Sequence, residues 1–184
     1  IMEKKLTRDQ VFYAFAPDLK PVLNVKQGEE FTLETHDCFT GQLKTEDDLL
    51  DVLDWDRVNP ATGPVYFDGV EPGDVVRVDI LKLKVINQAT MVTVPEEGVL
   101  GDIITKMETA VLKYEGDRVI FRDKISISMD PMIGVIGVAP AEGKVPNGEP
   151  AAHGGNMDCT MITEGVSVYF TASVPGALFG CGDF

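Results

Sequence analysis

Positive charge is scarce in this chain. Its 16 Lys plus Arg face 30 Asp plus Glu, leaving a net charge of −14 over 184 residues. Phosphate backbones repel such a surface and no basic patch interrupts it, which excludes general nucleic-acid binding. Long apolar runs are missing as well. None approaches the roughly 18 consecutive residues of a membrane-spanning helix, so no membrane partner is expected. Cysteine is limited to Cys38, Cys159 and Cys181, which cannot all pair within the chain. No apolar stretch follows the charged opening from Ile1 to Arg8, so a secretory signal is not in evidence. Both observations point to a reducing, cytoplasmic setting with free thiols. What is present is ordinary globular material, 44% hydrophobic and 25% charged, which excludes disorder. A chain of this size buries about two-thirds of its unfolded surface, enough for a core in one domain or two small ones.

Glycine (18) and proline (11) punctuate short segments rich in Val, Ile and Thr, the pattern of strands and turns. Glu71-Pro72-Gly73-Asp74 is a turn signature, and a strand is expected from Val75 to Val85. Val76, Val78 and Ile80 share one face of it, whereas Leu81, Leu83 and Val85 share the other. Such a switch predicts a β-bulge or a strand shared by two sheets. Val111 to Phe121 reads as a hairpin around Glu115-Gly116-Asp117. Ile125, Ile127 and Met129 alternate with Ser126 and Ser128, which predicts one apolar and one polar face. The run from Pro131 to Val138 is apolar on both sides and interrupted by glycine, as in a buried strand with something packed against bare backbone. Val166 to Ala172 is a further short strand. One short helix is expected after Thr45, with Asp48 at the capping-box spacing and Leu49, Val52 and Leu53 as its apolar stripe. The predicted fold class is mainly β, with barrel- or sandwich-like sheets, one short helix and glycine-rich loops; an α+β arrangement is the alternative. Tentative sub-units are 1–125 and 126–184.

Only two histidines occur, and both have acidic neighbours. His36-Asp37-Cys38 stands in one cluster, His153-Gly154-Gly155-Asn156-Met157-Asp158-Cys159 in a second, and Gly180-Cys181-Gly182-Asp183 in a third. In the second, two glycines permit a sharp turn and close backbone approach. Asn156 and Asp158 fall on the same side of a strand, and an amide and a carboxylate near an imidazole suit a divalent cation or a small polar molecule. The alternative is a glycine-rich turn whose Asn and Asp bond their own backbone. His36 and Asp37 point to opposite faces unless the chain bends, and a surface histidine in a loop explains them equally well. The cysteines invite a thiolate nucleophile, with Glu142 and Lys144 as companions of Cys159, but the absence of a C-x-x-C pair disfavours structural zinc, and inert buried thiols are the plainer reading.

With these residues in place, the chain resembles the acetamidase/formamidase family. The resemblance rests on stretches in a fixed order: His36-Asp37-Cys38-Phe39-Thr40-Gly41-Gln42, Asn59-Pro60-Ala61-Thr62-Gly63-Pro64-Val65-Tyr66, Gly69-Val70-Glu71-Pro72-Gly73-Asp74-Val75, the run from Pro131 to Pro140, His153-Gly154-Gly155-Asn156-Met157-Asp158 and Gly180-Cys181-Gly182-Asp183. Together they span residues ~30 to 184, and an ordered set is far more specific than one glycine-rich motif.

The resemblance implies a cytoplasmic, homo-oligomeric, metal-associated hydrolase of small aliphatic amides. Its motif residues here are Asp37, Gly155, Asn156, Asp158 and Asp183, with His36 and His153 belonging to the acetamidase-like version. On that basis His36, Asp37, Asp158 and Asp183 are expected to ligate the metal. Asn156, His153 and Asp158 are expected to be catalytic, and Gly155 with Asn156 to bind substrate. Zinc is the preferred ion if imidazole ligates, and calcium or magnesium if the shell is all oxygen. Family members continue past Gly-Asp-Phe with a histidine and a Gly-Asp-Gly-Glu stretch. Residues 1–184 are therefore expected to be the N-terminal part of a longer polypeptide, whose remainder is a partner in the site. The reading from another class is a non-catalytic β-domain that binds a metal or ligand.

Overall fold

A computed structural model of the chain describes residues 4–85 and 88–184. The charged opening Ile1-Met2-Glu3 of the signal-peptide reading lies outside them. From the N-terminus run β1 (Lys4–Leu6), β2 (Val11–Phe12), β3 (Ala14–Phe15), β4 (Leu23–Val25) and β5 (Phe31–Leu33). Two single 3₁₀ turns, Leu50–Val52 and Trp55–Arg57, precede β6 (Ala61–Phe67) and β7 (Val75–Asp79). Then come β8 (Ala89–Thr93), β9 (Glu108–Glu115), β10 (Arg118–Phe121) and β11 (Ile125–Ser128). The last group is β12 (Val135–Gly137), β13 (Val145–Pro146), β14 (Gly154–Asn156), β15 (Ser167–Thr171) and β16 (Phe179–Gly182). The molecule is mainly β, as its composition predicts. Its sheets stay open: none closes into a barrel among the described residues. No described helix is long and apolar enough to cross a membrane.

The chain forms two compact units that are discontinuous in sequence. One comprises Ile1–Thr40, Asp56–Leu83 and Pro131–Phe184, and the other Gly41–Trp55 and Lys84–Asp130. The first draws on both sides of the 125/126 boundary, because long-range strand pairing sorts the segments. In this unit the sheet β14-β12-β16-β6-β2 also carries β4, parallel to β6, and two-stranded pairs β1-β5, β3-β13 and β7-β15 accompany it. β12 is its buried spine, with antiparallel neighbours on both sides. Burial on both faces explains why its sequence is apolar throughout rather than alternating. Gly137 is required there: a Cβ would lie 2.6 Å from the His153 carbonyl oxygen and 3.0 Å from the Gly155 nitrogen. Val65, Ile136, Val138, Phe170 and Phe179 build the main apolar cluster, while Phe12, Phe15, Ala61 and Val135 build a second.

The second unit is the sheet β11-β10-β9-β8. Its expected hairpin is present, with Glu115 opposite Arg118 and Gly116 at φ 65° in the first central position of the turn. Three local expectations differ. The strand beginning at Val75 ends at Asp79, and Ile80 is buried while Leu81 is 62% exposed, so the change of face marks a strand end. A register shift occurs instead on β16, between Phe179 and Cys181 where it pairs β6. Ile125 and Ile127 are exposed because β11 is an edge strand in register with β10 but without cover over that face. Finally, Asp48 accepts bonds from the Lys44 and Thr45 N–H groups, both at 2.9 Å, yet no α-helix follows. Leu50 and Leu53 are the buried pair, three apart as a 3₁₀ turn requires, and Val52 of the expected stripe is exposed.

Candidate functional site

The site is built at one end of the β14-β12-β16 sheet. Antiparallel register places Val135 opposite both Asn156 and Gly182, so the residues just beyond, Gly134, Asp158 and Asp183, are brought together. The Gly134 N–H donates to the Asp183 carbonyl oxygen at 2.8 Å, and the Gly134 carbonyl accepts from the Met157 N–H at 3.0 Å and the Asp158 N–H at 3.3 Å. Asp158 and Asp183 both take left-handed backbone conformations, at φ 45° and 61°, which Asp tolerates better than most residues. The bare Cα of Gly134 makes room for their carboxylates. A Cβ there would stand 2.8 Å from Asp183 Oδ2 and 3.0 Å from Asp158 Oδ1. Those two oxygens therefore lie less than about 6 Å apart.

A third carboxylate arrives from the loop after β5. The Asp183 N–H donates to the His36 carbonyl at 3.2 Å, and the Cys38 carbonyl accepts from the Asn59 N–H at 2.7 Å. Asp37 Oδ1 accepts from the Phe39 N–H at 2.9 Å, which fixes the bend of this loop. Three like charges in a partly dry site have a measurable consequence. Burial, then the negative charges of Asp158 and Asp37, push the Asp183 carboxyl up to about 6. The Cys38 thiol donates to that carboxyl. Burial and the same carboxylates hold Cys38 well above the usual thiol range, so it is a neutral donor rather than a thiolate. Burial likewise pushes Cys181 up to about 12. All three cysteines are free. The donor chemistry of the cluster suits a hard divalent cation, although among the described residues no three His, Cys, Asp or Glu groups are drawn together as a metal site.

Asn156 and His153 sit farther along β14 and just before it. The Asn156 Oδ1 is buried without a hydrogen-bond partner among the described residues, and so is the His153 Nε2. The His153 ring packs edge-on against Phe15 with centroids 5.1 Å apart, and desolvation lowers its pKa, keeping the imidazole neutral.

A sequence profile of the Acetamidase/Formamidase family matches residues 2–147. This chain belongs to that family. Among solved structures, an acetamidase from Bacillus halodurans superposes with a TM-score of 0.95 at 37% identity, covering 97% of this chain and 61% of that one. A predicted acetamidase/formamidase from Thermoanaerobacter tengcongensis gives 0.94 at 44% identity, covering 99% and 60%. A formamidase of Methylophilus methylotrophus is 40% identical over 74 residues, which are 39% of this chain and 18% of that protein. The chain thus spans about three-fifths of the solved relatives it matches.

Within this acetamidase/formamidase chain, the structure brings Asp158 and Asp183 together at Gly134, Asp37 is near enough to act on the Asp183 charge, and His36 joins them through its backbone carbonyl. Gly155 lies between His153 and Asn156 in sequence and pairs opposite Ile136. One participant was read from sequence in another role, as a candidate thiolate, and one had almost no signal. Cys38 emerges as the hydrogen-bond donor to Asp183, and Gly134 as the platform; only the glycine interruption of an apolar run hinted at the latter. Asn147, 1% exposed, is a structural tie: it donates through Nδ2 to the Phe12 and Asn59 carbonyls, both at 2.8 Å.

Proposed function

We propose that this chain contributes to a hydrolase of small aliphatic amides, of the formamide or acetamide type, releasing carboxylate and ammonia. The observation that carries the reading is the pairing of Asp158 and Asp183 beside Gly134, with Asp37 near enough to act on the Asp183 charge, in a family whose named relatives are acetamidases and formamidases. Amide hydrolysis needs an activated water, stabilisation of negative charge on the substrate oxygen and a proton for departing ammonia. The three carboxylates, joined by His36 if its imidazole turns inward, would hold a divalent ion. Zinc is the choice with imidazole in the shell, calcium or magnesium with oxygen alone. Such an ion supplies a lowered water pKa and polarisation of the carbonyl.

The chain's own residues do the rest. Asp183 is held above the ordinary carboxylate range by burial and by its acidic neighbours, so a cation at the cluster would relieve the repulsion. Asn156 presents a buried, unpartnered Oδ1 able to accept an N–H of a primary amide, and Gly155 lets substrate approach the backbone. His153, neutral and with Nε2 unpartnered, is suited to pass a proton to the leaving nitrogen. Assembly as a homo-oligomer and completion of the site by further polypeptide belong to the same proposal.

The test is ammonia release across formamide, acetamide and longer amides by the protein as its gene encodes it, before and after exhaustive chelation. Turnover that is lost on chelation and restored by a divalent ion supports the reading. Metal-dependent melting without ammonia release from any amide favours a non-catalytic binding domain instead.

A further inference from the structure

Asp37 is carried by a segment tied down at alternate carbonyls. The Glu34 carbonyl accepts from the Thr62 hydroxyl at 2.7 Å, that of His36 from the Asp183 N–H at 3.2 Å, and that of Cys38 from the Asn59 N–H at 2.7 Å. A spacing of two is what an extended chain presents to one side. The first two ties run to β6 and to the residue that follows β16, neighbouring strands of one sheet. The third runs to Asn59, which stands outside any strand. Its backbone is left-handed at φ 52°, and it precedes Pro60, a residue with no N–H to offer a ladder. Sheet pairing therefore does not fix Asn59.

Asn147 does. It follows β13 directly and is buried. Its two side-chain N–H donors are both used, one on the Asn59 carbonyl and one on the Phe12 carbonyl, each at 2.8 Å. Its backbone N–H donates to the Tyr13 carbonyl at 3.0 Å. Asn147 thus joins the end of β2 to the approach to β6. The bare Cα of Gly148 leaves room for the Asn59 side chain, since a Cβ there would lie 2.9 Å from Asn59 Nδ2. Asn147 Oδ1 is buried with no hydrogen-bond partner among the described residues, a cost that an aliphatic residue filling the same space would not carry. The amide is needed for its donors, and one of them ends on Asn59.

We propose that Asn147 is a positioning residue for the carboxylate cluster: through Asn59 and the Cys38 carbonyl it sets where Asp37 lies relative to Asp183. The proposal rests on the reading of Asp37 and Asp183 as cation ligands, because residues behind a ligand set its orientation and so its affinity.

The test uses Asn147→Ala and Asn147→Ser in the protein as its gene encodes it; the serine keeps one donor in case the alanine does not fold. Val174→Ala truncates a separate buried cluster of the same unit and reports the effect of lost stability alone. In amide hydrogen exchange without metal, the Asn147 variants should exchange about tenfold faster at Asn59 and Asp183, and unchanged at Ile80, whose N–H bonds the Val166 carbonyl. In calorimetric titration with Zn²⁺ and with Ca²⁺, Asn147→Ser should weaken binding about fivefold, yet less than about twofold once Asp37→Asn is present. Val174→Ala should leave cation affinity as it is. Unchanged exchange at Asn59 and Asp183, equal acceleration at Ile80, or additive effects of Asn147→Ser and Asp37→Asn on affinity would each overturn the proposal. If the wild type binds neither ion, the cation reading fails, and the exchange pattern still decides the positioning role.

Discussion

At Asp183 charge and burial conflict. Its folded pKa of about 6 lies above the ordinary carboxylate range, so the native state binds its proton more tightly than the unfolded chain does. The stability this contributes is complete below the ordinary carboxylate range and is lost as pH rises through about 6. Asp183→Asn removes the titration and keeps a residue that tolerates φ 61°. In calorimetry at pH 5 and pH 8, the wild type should lose stability with rising pH relative to this variant, by on the order of 1 kcal/mol. A pH-independent difference would contradict the assignment. His153 runs the other way: its lowered pKa gives stability present above the ordinary imidazole value and lost as pH falls through the depressed one. The cysteines give a second check. Because Cys38 and Cys181 are held as neutral thiols, alkylation at pH 8 should spare both in the native protein, and Cys181→Ala should retain amide turnover. At this scale the motifs point to Asp37, after His36, to Asp158, in the stretch that follows two glycines, and to Asp183, after Gly182; their ligand roles belong to the proposal. Cys38's bond to Asp183 was not legible, because 145 positions separate them and strand register alone makes them meet.

The elements show where local pattern suffices. The β9–β10 hairpin is written in a Gly116-Asp117 turn between alternating strands, and it forms as read. The buried β12 is equally legible from its glycine-interrupted apolar run. The stripe Leu49, Val52, Leu53 misleads because the side chain of Asp48 bonds back to Lys44 and Thr45, and the short segment closes a 3₁₀ turn that buries Leu50 and Leu53. Asp48→Ala should therefore lower the midpoint of chemical denaturation slightly, because the Lys44 and Thr45 N–H groups lose their side-chain acceptor. Gly134→Ala is the sharper test of how the elements hold the site. Its Cβ would meet the backbone and carboxylate of Asp183 and the carboxylate of Asp158, so a loss of about 1–3 kcal/mol is expected, together with loss of amide turnover. Wild-type melting and turnover in that variant would show that the carboxylates do not need this platform.

For the whole molecule, composition excludes more than it assigns. The deficit of positive charge and the short apolar runs remove classes of function, and the mainly β architecture follows from the spacing of glycine and proline. The division into two discontinuous units was not legible, because neither unit is a contiguous stretch and no linker composition marks their boundaries. The proposed amide hydrolysis is placed at the meeting of Asp158 and Asp183 beside Gly134, with Asp37 acting on the Asp183 charge. That meeting is the central claim, and kinetics of formamide hydrolysis test it most directly. In the protein as its gene encodes it, Asp37→Asn, Asp158→Asn and Asp183→Asn should each lower kcat/KM at least 100-fold while the fold is retained. Three folded variants that all stay within threefold of wild type would contradict it.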